Sequence, residues 1–210
     1  SGKDGIIGVG FDKSDAILGL IDDGYLLCTM AQNPDVMGYE GVKAAVAAVG
    51  GESLGGKVTD TGVSVLTAQG GTASAASEGS TAKASKEYRI ALITMDSIDQ
   101  HWVTLNEGAQ KAAGELGVTV QFMAPNTKDD AQQIECVNNA VSAGAKAIIV
   151  AANGPDAISS SLKEAQSSGV KIVYVDSPAN VDAEATFSTD NKAAGKTAGE
   201  EMLKALSAAG

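Results

Sequence analysis

The chain has 210 residues, of which 44% are hydrophobic and 20% charged, so it is long enough to bury the core of one or two domains. Its formal net charge of −11 argues against nucleic acid or an anionic membrane as partner, because both bind basic patches. The apolar runs have the length of strands, so no membrane span is predicted. The two cysteines, Cys28 and Cys136, and the single histidine fit no metal-site spacing, and we predict neither a metal nor a cofactor.

The first 66 residues predict short elements. In chain order these are a strand at 5–11, a helix at 14–23, a strand at 25–30, a helix at 35–49 and a polar, strand-like tail at 57–66. Two strands are too few for a separate domain, because an isolated pair is marginally stable. Residues 67–86 are rich in Gly, Ala and Ser without periodicity, which predicts a flexible linker, with an ordered surface loop as the alternative.

From residue 88 onward, strands and helices alternate. Strands are predicted at 89–95, 118–123, 145–152, 170–175 and 185–188, and glycines at 117, 144 and 169 end the helices between them. A final helix is predicted at 192–206. This alternation predicts an α/β fold, a parallel sheet with helices on both faces. In such sheets ligands bind beyond the carboxyl ends of the strands, where this sequence is polar.

Several stretches together resemble one family. In the region of alternating strands and helices, these stretches are residues 95–102, 106–110, 148–153, 173–176 and 188–195. In the first third of the chain, they are residues 9–12, 30–34 and 37–42. They resemble the ribose/galactose-type periplasmic binding proteins, the sugar-binding subunits of ABC importers. The resemblance covers nearly everything outside the predicted linker and implies the flavodoxin-like lobe of the type 1 fold.

The order of these stretches differs from the order in the family, where the part resembling 87–191 comes first and the part resembling 5–66 comes last. The chain therefore resembles a circularly permuted, truncated member, and we expect an engineered origin, with one fragment of a split protein as the alternative. The resemblance implies a remnant of the second lobe at 1–31, a helix and tail packed on the first lobe at 32–66, the linker at 67–86, the first lobe at 87–191 and a second-lobe helix at 192–210.

The resemblance also assigns ligand contacts. Sugar sites combine carboxylates and amides that bind hydroxyl groups with aromatic faces that stack on the sugar. The predicted ligand-binding residues are Asp99, His101, Trp102, Asp176, Asp12, Gln32, Asn153 and Asp190. The alternatives are a core position for Trp102, a helix cap for Asp99, and turn or cap roles for Asn153 and Asp190.

The chemistry of these positions favours a neutral ligand. Ribose-binding members of the family carry an arginine after the aspartate of the fourth strand, whereas this chain has Ser177, and its only arginine, Arg89, lies in a predicted strand. Without a guanidinium group, phosphorylated and carboxylated ligands are disfavoured, so a neutral sugar or polyol is expected, with a cationic ligand as the alternative. No enzyme is predicted, because Ser97, Asp99 and His101 share one short loop, whereas a catalytic triad converges from separate places.

The implied function is sugar binding for an ABC importer, weakened here because only part of the binding residues is present. The parent protein would dock on an ABC permease outside the cytoplasm, in the periplasm or as a membrane-anchored lipoprotein of a Gram-positive bacterium. The alternative is a single-lobe, flavodoxin-like scaffold without a ligand, or a split fragment that assembles with another chain. The unpaired strands at 5–11 and 25–30 would then pair with a complementing chain or in a homodimer.

Overall fold

The computed structural model describes residues 6–73 and 88–209 of the chain. Within those residues the chain divides into two compact units. Unit 1 draws on residues 6–33, 60–73 and 189–209, and unit 2 draws on residues 34–59 and 88–188. No helix in the described ranges is long and apolar enough to cross a membrane.

Strands and helices follow one another along most of the described chain. In chain order they are β1 (Val9–Phe11), α1 (Asp15–Asp22), β2 (Cys28–Gln32), α2 (Pro34–Val49), β3 (Lys57–Asp60), β4 (Val63–Thr67), β5 (Gly70–Ala73), β6 (Arg89–Ile93), α3 (Gln100–Leu116), β7 (Thr119–Met123), α4 (Asp130–Ser142), β8 (Ala147–Val150), α5 (Ser159–Ser167), β9 (Lys171–Val175), β10 (Ala185–Ser188) and α6 (Asn191–Ala209).

Unit 2 is built on a six-stranded sheet with the strand order β3-β10-β9-β8-β6-β7. The pairs β10–β9, β9–β8, β8–β6 and β6–β7 are all parallel. Side chains of a strand alternate between the two faces of the sheet. Along β8, Ile149 therefore packs in the cluster with α2 and α3, while Ile148 and Val150 pack in the cluster with α4 and α5. The predicted α/β fold, a parallel sheet covered by helices on both faces, is confirmed.

Helices α2 and α3 pack against each other at two glycines. A Cβ atom at Gly38 would lie 1.9 Å from the backbone oxygen of Leu105, and one at Gly108 would lie 1.9 Å from the backbone oxygen of Asp35. These distances are far shorter than any real contact, so only glycine permits the two backbones to approach this closely. The crossing joins a helix that precedes residues 74–87 to a helix that follows them.

Helix ends in unit 2 follow the sequence signals closely, with one exception. Gly117 ends α3 in the left-handed conformation at φ 69°, as its position predicted. The helix between the strands predicted at 145–152 and 170–175 begins only at Ser159, although Pro155 is of a type that favours a helix start, and no side chain caps it. Residues 155–158 form turns, so the helix itself starts farther from the end of β8 than Pro155 does.

Unit 1 contains a four-stranded sheet with the order β1-β2-β4-β5. Strand β1 pairs in parallel with β2, β2 pairs antiparallel with β4, and β4 pairs antiparallel with β5. Helix α1 begins after Ser14, whose hydroxyl accepts a hydrogen bond from the backbone of Ile17 at 3.3 Å. Both α1 and α6 pack on β2, the central strand of the unit.

This sheet corrects two predictions. The strands predicted to be unpaired, at 5–11 and 25–30, correspond to β1 and β2, which pair with each other, and β2 has a partner on its other side as well. The tail predicted to pack on the first lobe divides, because β3 joins the sheet of unit 2 while β4 pairs with β2 in unit 1. The alternating side chains of the tail fit either sheet, so the sequence alone could not show that the tail divides between the two.

The predicted linker at 67–86 also begins too early. Residues 67–73 belong to the β4–β5 hairpin, whose turn is closed by the hydroxyl of Thr67, which donates to the backbone oxygen of Gly70 at 2.7 Å. Gly70 has φ 109°, a conformation that favours glycine. Small, weakly strand-forming residues in this hairpin made it look like part of the low-complexity stretch. Residues 74–86 of the predicted linker lie outside the described residues.

Candidate functional site

Asp176 is the central carboxylate at the carboxyl edge of the six-stranded sheet. It follows β9 directly and adopts a left-handed backbone with φ 60°, which is uncommon for any residue other than glycine. Its side chain is 20% exposed. Ser177 donates its hydroxyl to Oδ2 at 2.6 Å, and Nε2 of His101 lies 3.3 Å from Oδ1, outside the geometry of a regular hydrogen bond. Backbone strain of this kind clusters at functional sites.

The surroundings of Asp176 favour its charged form. Burial disfavours the charge, but the imidazole of His101, the hydroxyl of Ser177 and the positive charge of Lys128 together hold the pKa of the carboxyl below its ordinary value. Asp176 is therefore a carboxylate at neutral pH, with oxygens that accept hydrogen bonds near the surface of the sheet edge.

The loop after β6 is organised by a second aspartate, Asp96, which sequence analysis did not single out. Its buried Oδ1 accepts hydrogen bonds from the backbone N–H groups of Ile98 at 3.0 Å and Asp99 at 2.8 Å. Burial opposes the charge, but these two bonds, with help from Lys128 and Trp102, lower the pKa of Asp96. An aspartate two residues before a turn is the signal that could have identified it.

Asp99 caps helix α3. Its carboxylate accepts from the backbone N–H of His101 at 3.0 Å, the cap role that was the alternative prediction for this residue. The cap fixes the first turn of α3, which carries the imidazole toward Asp176. Asp99 is exposed, so its assignment as a ligand contact stays a prediction.

The two neighbouring rings of α3 differ in their exposure. Trp102 is 4% exposed and belongs to the core between the sheet and α2 and α3, whereas the side chain of His101 is 18% exposed. The rings meet edge to face, with centroids 4.7 Å apart and an interplanar angle of 89°. The buried indole N–H of Trp102 has no hydrogen-bond partner of regular geometry, although it lies close enough to Asp96 to favour its charge. A stacking role for Trp102 stays a prediction, and His101 is the more accessible ring.

Asn153 is held by helix α4 at the end of β8. Its backbone N–H donates to Oε1 of Gln133 at 2.9 Å, and its side-chain amide donates to Asp130. Gln133 is 1% exposed, and its amide also donates to the backbone oxygens of Thr94 at 3.0 Å and Ala151 at 2.8 Å. Sequence analysis missed Gln133. The signal was a polar residue four positions before Val137, on the buried stripe of α4.

In unit 1, the predicted residues Asp12 and Gln32 lie together. Asp12 follows β1 with φ 66°, and its Oδ1 accepts a hydrogen bond from the side-chain amide of Gln32 at 2.7 Å. Its backbone oxygen accepts from the hydroxyl of Thr29 at 2.7 Å. The pair thus presents a carboxylate and an amide at the carboxyl end of two parallel strands of its own sheet.

Asp190, also in unit 1, has a capping role. Its Oδ1 accepts from the backbone N–H groups of Lys192 at 3.0 Å and Ala193 at 2.9 Å in the first turn of α6. Its own N–H donates to the carboxylate of Asp60 at 3.0 Å. These contacts match the cap that was the alternative for Asp190, and a ligand contact stays a prediction.

The chemical groups in unit 2 suit hydrogen bonding to a polar, uncharged ligand. They supply the acceptor oxygens of Asp176, the imidazole of His101 and the amide of Asn153. Among residues 6–73 and 88–209 no group of three or more His, Cys, Asp or Glu side chains could hold a metal ion. Arg89, the single arginine, donates to the backbone oxygen of Ala143 at 2.9 Å and extends no guanidinium group to this edge of the sheet.

Comparisons with known proteins place these features in context. A family model described as a periplasmic binding protein domain matches residues 90–210. An arabinose-binding protein from Geobacillus stearothermophilus is 26% identical, with a TM-score of 0.56 over 58% of this chain and 42% of that one. The sugar-binding protein of a sugar ABC transporter from Bacillus halodurans is 27% identical, with a TM-score of 0.55 and the same coverages of 58% and 42%. The chain thus spans less than half the length of these solved relatives.

Proposed function

Because the chain belongs to the periplasmic binding protein family, we propose that it binds a neutral sugar or polyol as part of the solute-binding component of an ABC importer. The two solved relatives are an arabinose-binding protein and the sugar-binding protein of an ABC transporter, which supports a sugar as the ligand. The family is extracytoplasmic and consists of binding proteins, in agreement with the prediction that the chain is not an enzyme.

Asp176 is the observation that carries the proposal. A charged carboxylate, held in a strained backbone beside His101 at the carboxyl end of β9, is suited to accept hydrogen bonds from vicinal hydroxyl groups. We assign ligand contacts in unit 2 to Asp176, His101 and Asn153. In unit 1 we assign them to Asp12 and Gln32, whose carboxylate–amide pair offers the same chemistry.

The electrostatics of the chain support a neutral ligand. The net charge is −11, the single arginine is engaged with the backbone of Ala143, and the charge of Lys128 already acts on the carboxylates of Asp96 and Asp176. An anionic ligand needs a cationic partner when it is desolvated, and a guanidinium group is the usual one. Sugars and polyols need only hydrogen-bonding partners, which the assigned residues supply.

The chain order is the second part of the proposal. The family match begins at residue 90, after α2, yet α2 packs directly on α3 inside unit 2. This supports a circularly permuted order, in which the segment before residue 74 corresponds to the end of the family's sequence. Docking on an ABC permease and anchoring as a lipoprotein are proposed from the family role. We expect weak binding by the 210-residue chain on its own, since it spans 42% of each relative.

Titration calorimetry with L-arabinose, D-ribose and D-galactose tests the proposal. We expect heat of binding from at least one sugar, and a loss of affinity of about tenfold or more in Asp176→Asn, which removes the charge but tolerates the left-handed backbone. The matched control is Asp182→Asn at an exposed carboxylate of the loop that follows β9. No heat with any of the three sugars, or equal affinity of Asp176→Asn and the native chain, would contradict the assignment.

A further inference from the structure

We infer that Gln133 is a positioning residue of the proposed sugar site, an inference that rests on the function proposed above. Its amide lies at the point where the neighbouring strands β6 and β8 separate. The last ladder bond there runs from the N–H of Ala151 to the backbone oxygen of Ile93, at 3.0 Å. Beyond it, the amide of Gln133 bonds the backbone oxygens of Thr94 and Ala151 and the N–H of Asn153.

The side-chain amide of Gln133 takes over where the backbone hydrogen bonds between β6 and β8 end. Both of its N–H donors and its oxygen are used, and the residue is 1% exposed, so water does not compete for these bonds. The three backbone groups that it satisfies belong to two different loops. Their separation is therefore set by the width of one amide group rather than by a ladder of hydrogen bonds.

A chain of contacts leads from this amide to the predicted ligand residues. The hydroxyl of Thr94 donates to the backbone oxygen of Asp96 at 2.8 Å. The carboxylate of Asp96 accepts a hydrogen bond from the backbone N–H of Asp99, and Asp99 caps the helical turn that carries His101. On the other loop, the amide of Gln133 holds the backbone of Asn153 directly.

The positioning role predicts a specific set of variants. Gln133→Glu keeps the shape and the acceptor for Asn153, but it places an oxygen against the backbone oxygens of Thr94 and Ala151. Gln133→Met keeps the approximate volume and removes all three hydrogen bonds. Gln132→Met, at the exposed neighbour on the same helix, is the matched control.

Two measurements are made well below the midpoint of thermal unfolding. The first is the affinity for L-arabinose, D-ribose and D-galactose. The second is the emission of Trp102, which is the only tryptophan of the chain and lies against His101 and near Asp96. We expect both Gln133 variants to lose about tenfold or more in affinity and to shift the emission without ligand, while Gln132→Met changes neither.

Acidification provides a rescue. When the introduced carboxyl of Gln133→Glu becomes protonated, it can donate to one of the two backbone oxygens. The loss of sugar affinity in this variant, relative to the native chain, should therefore shrink as the pH falls from 7 to 5. The native chain is measured at each pH because Asp96, Asp130, Asp176, His101 and Lys128 on the neighbouring elements also carry titratable groups. Gln133→Met, which has no carboxyl, should show no such recovery.

The outcomes separate the inference from the proposed function. If the native chain binds none of the sugars, the proposed function fails, and the ligand-free emission of the variants still decides whether Gln133 sets the geometry of the loops. Folded Gln133 variants with native affinity and emission overturn the inference, even if their unfolding midpoint falls. Loss of folded protein in both variants, with Gln132→Met intact, overturns it in favour of a purely structural role.

Discussion

Asp12 and Asp176 are the non-glycine residues with a left-handed backbone in the described part of the chain. Each directly follows a strand that has a parallel neighbour, and each holds its carboxylate close to a polar side chain from elsewhere in the same unit. A left-handed aspartate costs conformational energy, so the surrounding contacts must maintain it. The sequence could indicate these residues as strand-end aspartates, but their backbone conformation is visible only in the structure.

Acid should weaken the contribution of Asp176 to stability. Its folded-state pKa is lowered, so its stabilising contribution is complete above the ordinary carboxyl pKa of about 3.9 and is lost as the pH falls through the lower folded value. The difference in unfolding free energy between the native chain and Asp176→Asn should therefore shrink as the pH falls from 5 to 3. Urea unfolding at several pH values measures it. Gln132→Met removes no titratable group and should give a constant difference, and a constant difference for Asp176→Asn would refute the prediction.

Tyr174 should ionise late in an alkaline titration. Burial, followed by the negative charge of Asp182, raises its pKa to about 12, and its hydroxyl donates to the backbone oxygen of Val181 at 3.0 Å. The neutral phenol therefore stabilises the fold below the ordinary pKa of about 10, and this contribution is lost as the pH rises through about 12. The ultraviolet absorbance of phenolate should show a late ionisation step at high pH. Tyr174→Phe should remove this step, whereas Tyr25→Phe, at an exposed tyrosine, should retain it.

At the scale of elements, the contact between α2 and α3 depends on two glycines. Gly108→Ala should lower the free energy of unfolding by about 1–3 kcal/mol, because its Cβ would overlap the backbone of Asp35 and force the helices apart. Gly114→Ala in the same helix meets no atom within 4 Å and should raise it by about 0.5–1 kcal/mol through helix propensity. Denaturant unfolding distinguishes the two, and a stabilising Gly108→Ala would show that the helices are not in close contact.

The elements of unit 2 were predictable because their apolar periodicity is strong. Strand β10 was predicted at its observed bounds, and β7 begins one residue after its predicted start. The β4–β5 hairpin was not predicted, since glycine and threonine give little periodic signal and its stability comes from pairing with β2. Trp102 shows the same limit at the site, because a tryptophan in the first turn of a helix fits both a core and a ligand-facing position until the packing is known.

At the scale of the whole molecule, the family was predictable because several stretches that resemble it occur together in the chain. The match to residues 90–210 confirms the periplasmic binding protein family for that part of the chain, while the permuted order and the ligand contacts remain proposals. The role of Gln133 could not be predicted, because its three partners come from segments that are distant in sequence and adjacent only after the sheet forms.

The chain should be a monomer in dilute solution. The strands that would have offered edges to a second copy are paired within unit 1, β1 is only three residues long, and the net charge of −11 opposes self-association. Size-exclusion chromatography with light scattering should give a mass near 21.0 kDa. Twice that mass at low protein concentration would show that another surface mediates assembly, and the sugars of the calorimetric panel should leave the mass unchanged.

The glycine-mediated crossing of α2 and α3 should also make the covalent connection between them dispensable. One of these helices precedes residues 74–87 and the other follows them, and both contribute to one hydrophobic core. A protease site inserted within that stretch should therefore allow the chain to be cut into two polypeptides that remain associated and copurify under native conditions. Two such halves, expressed separately, should reconstitute the domain by fragment complementation, and Gly108→Ala should abolish their association well before it unfolds the intact chain.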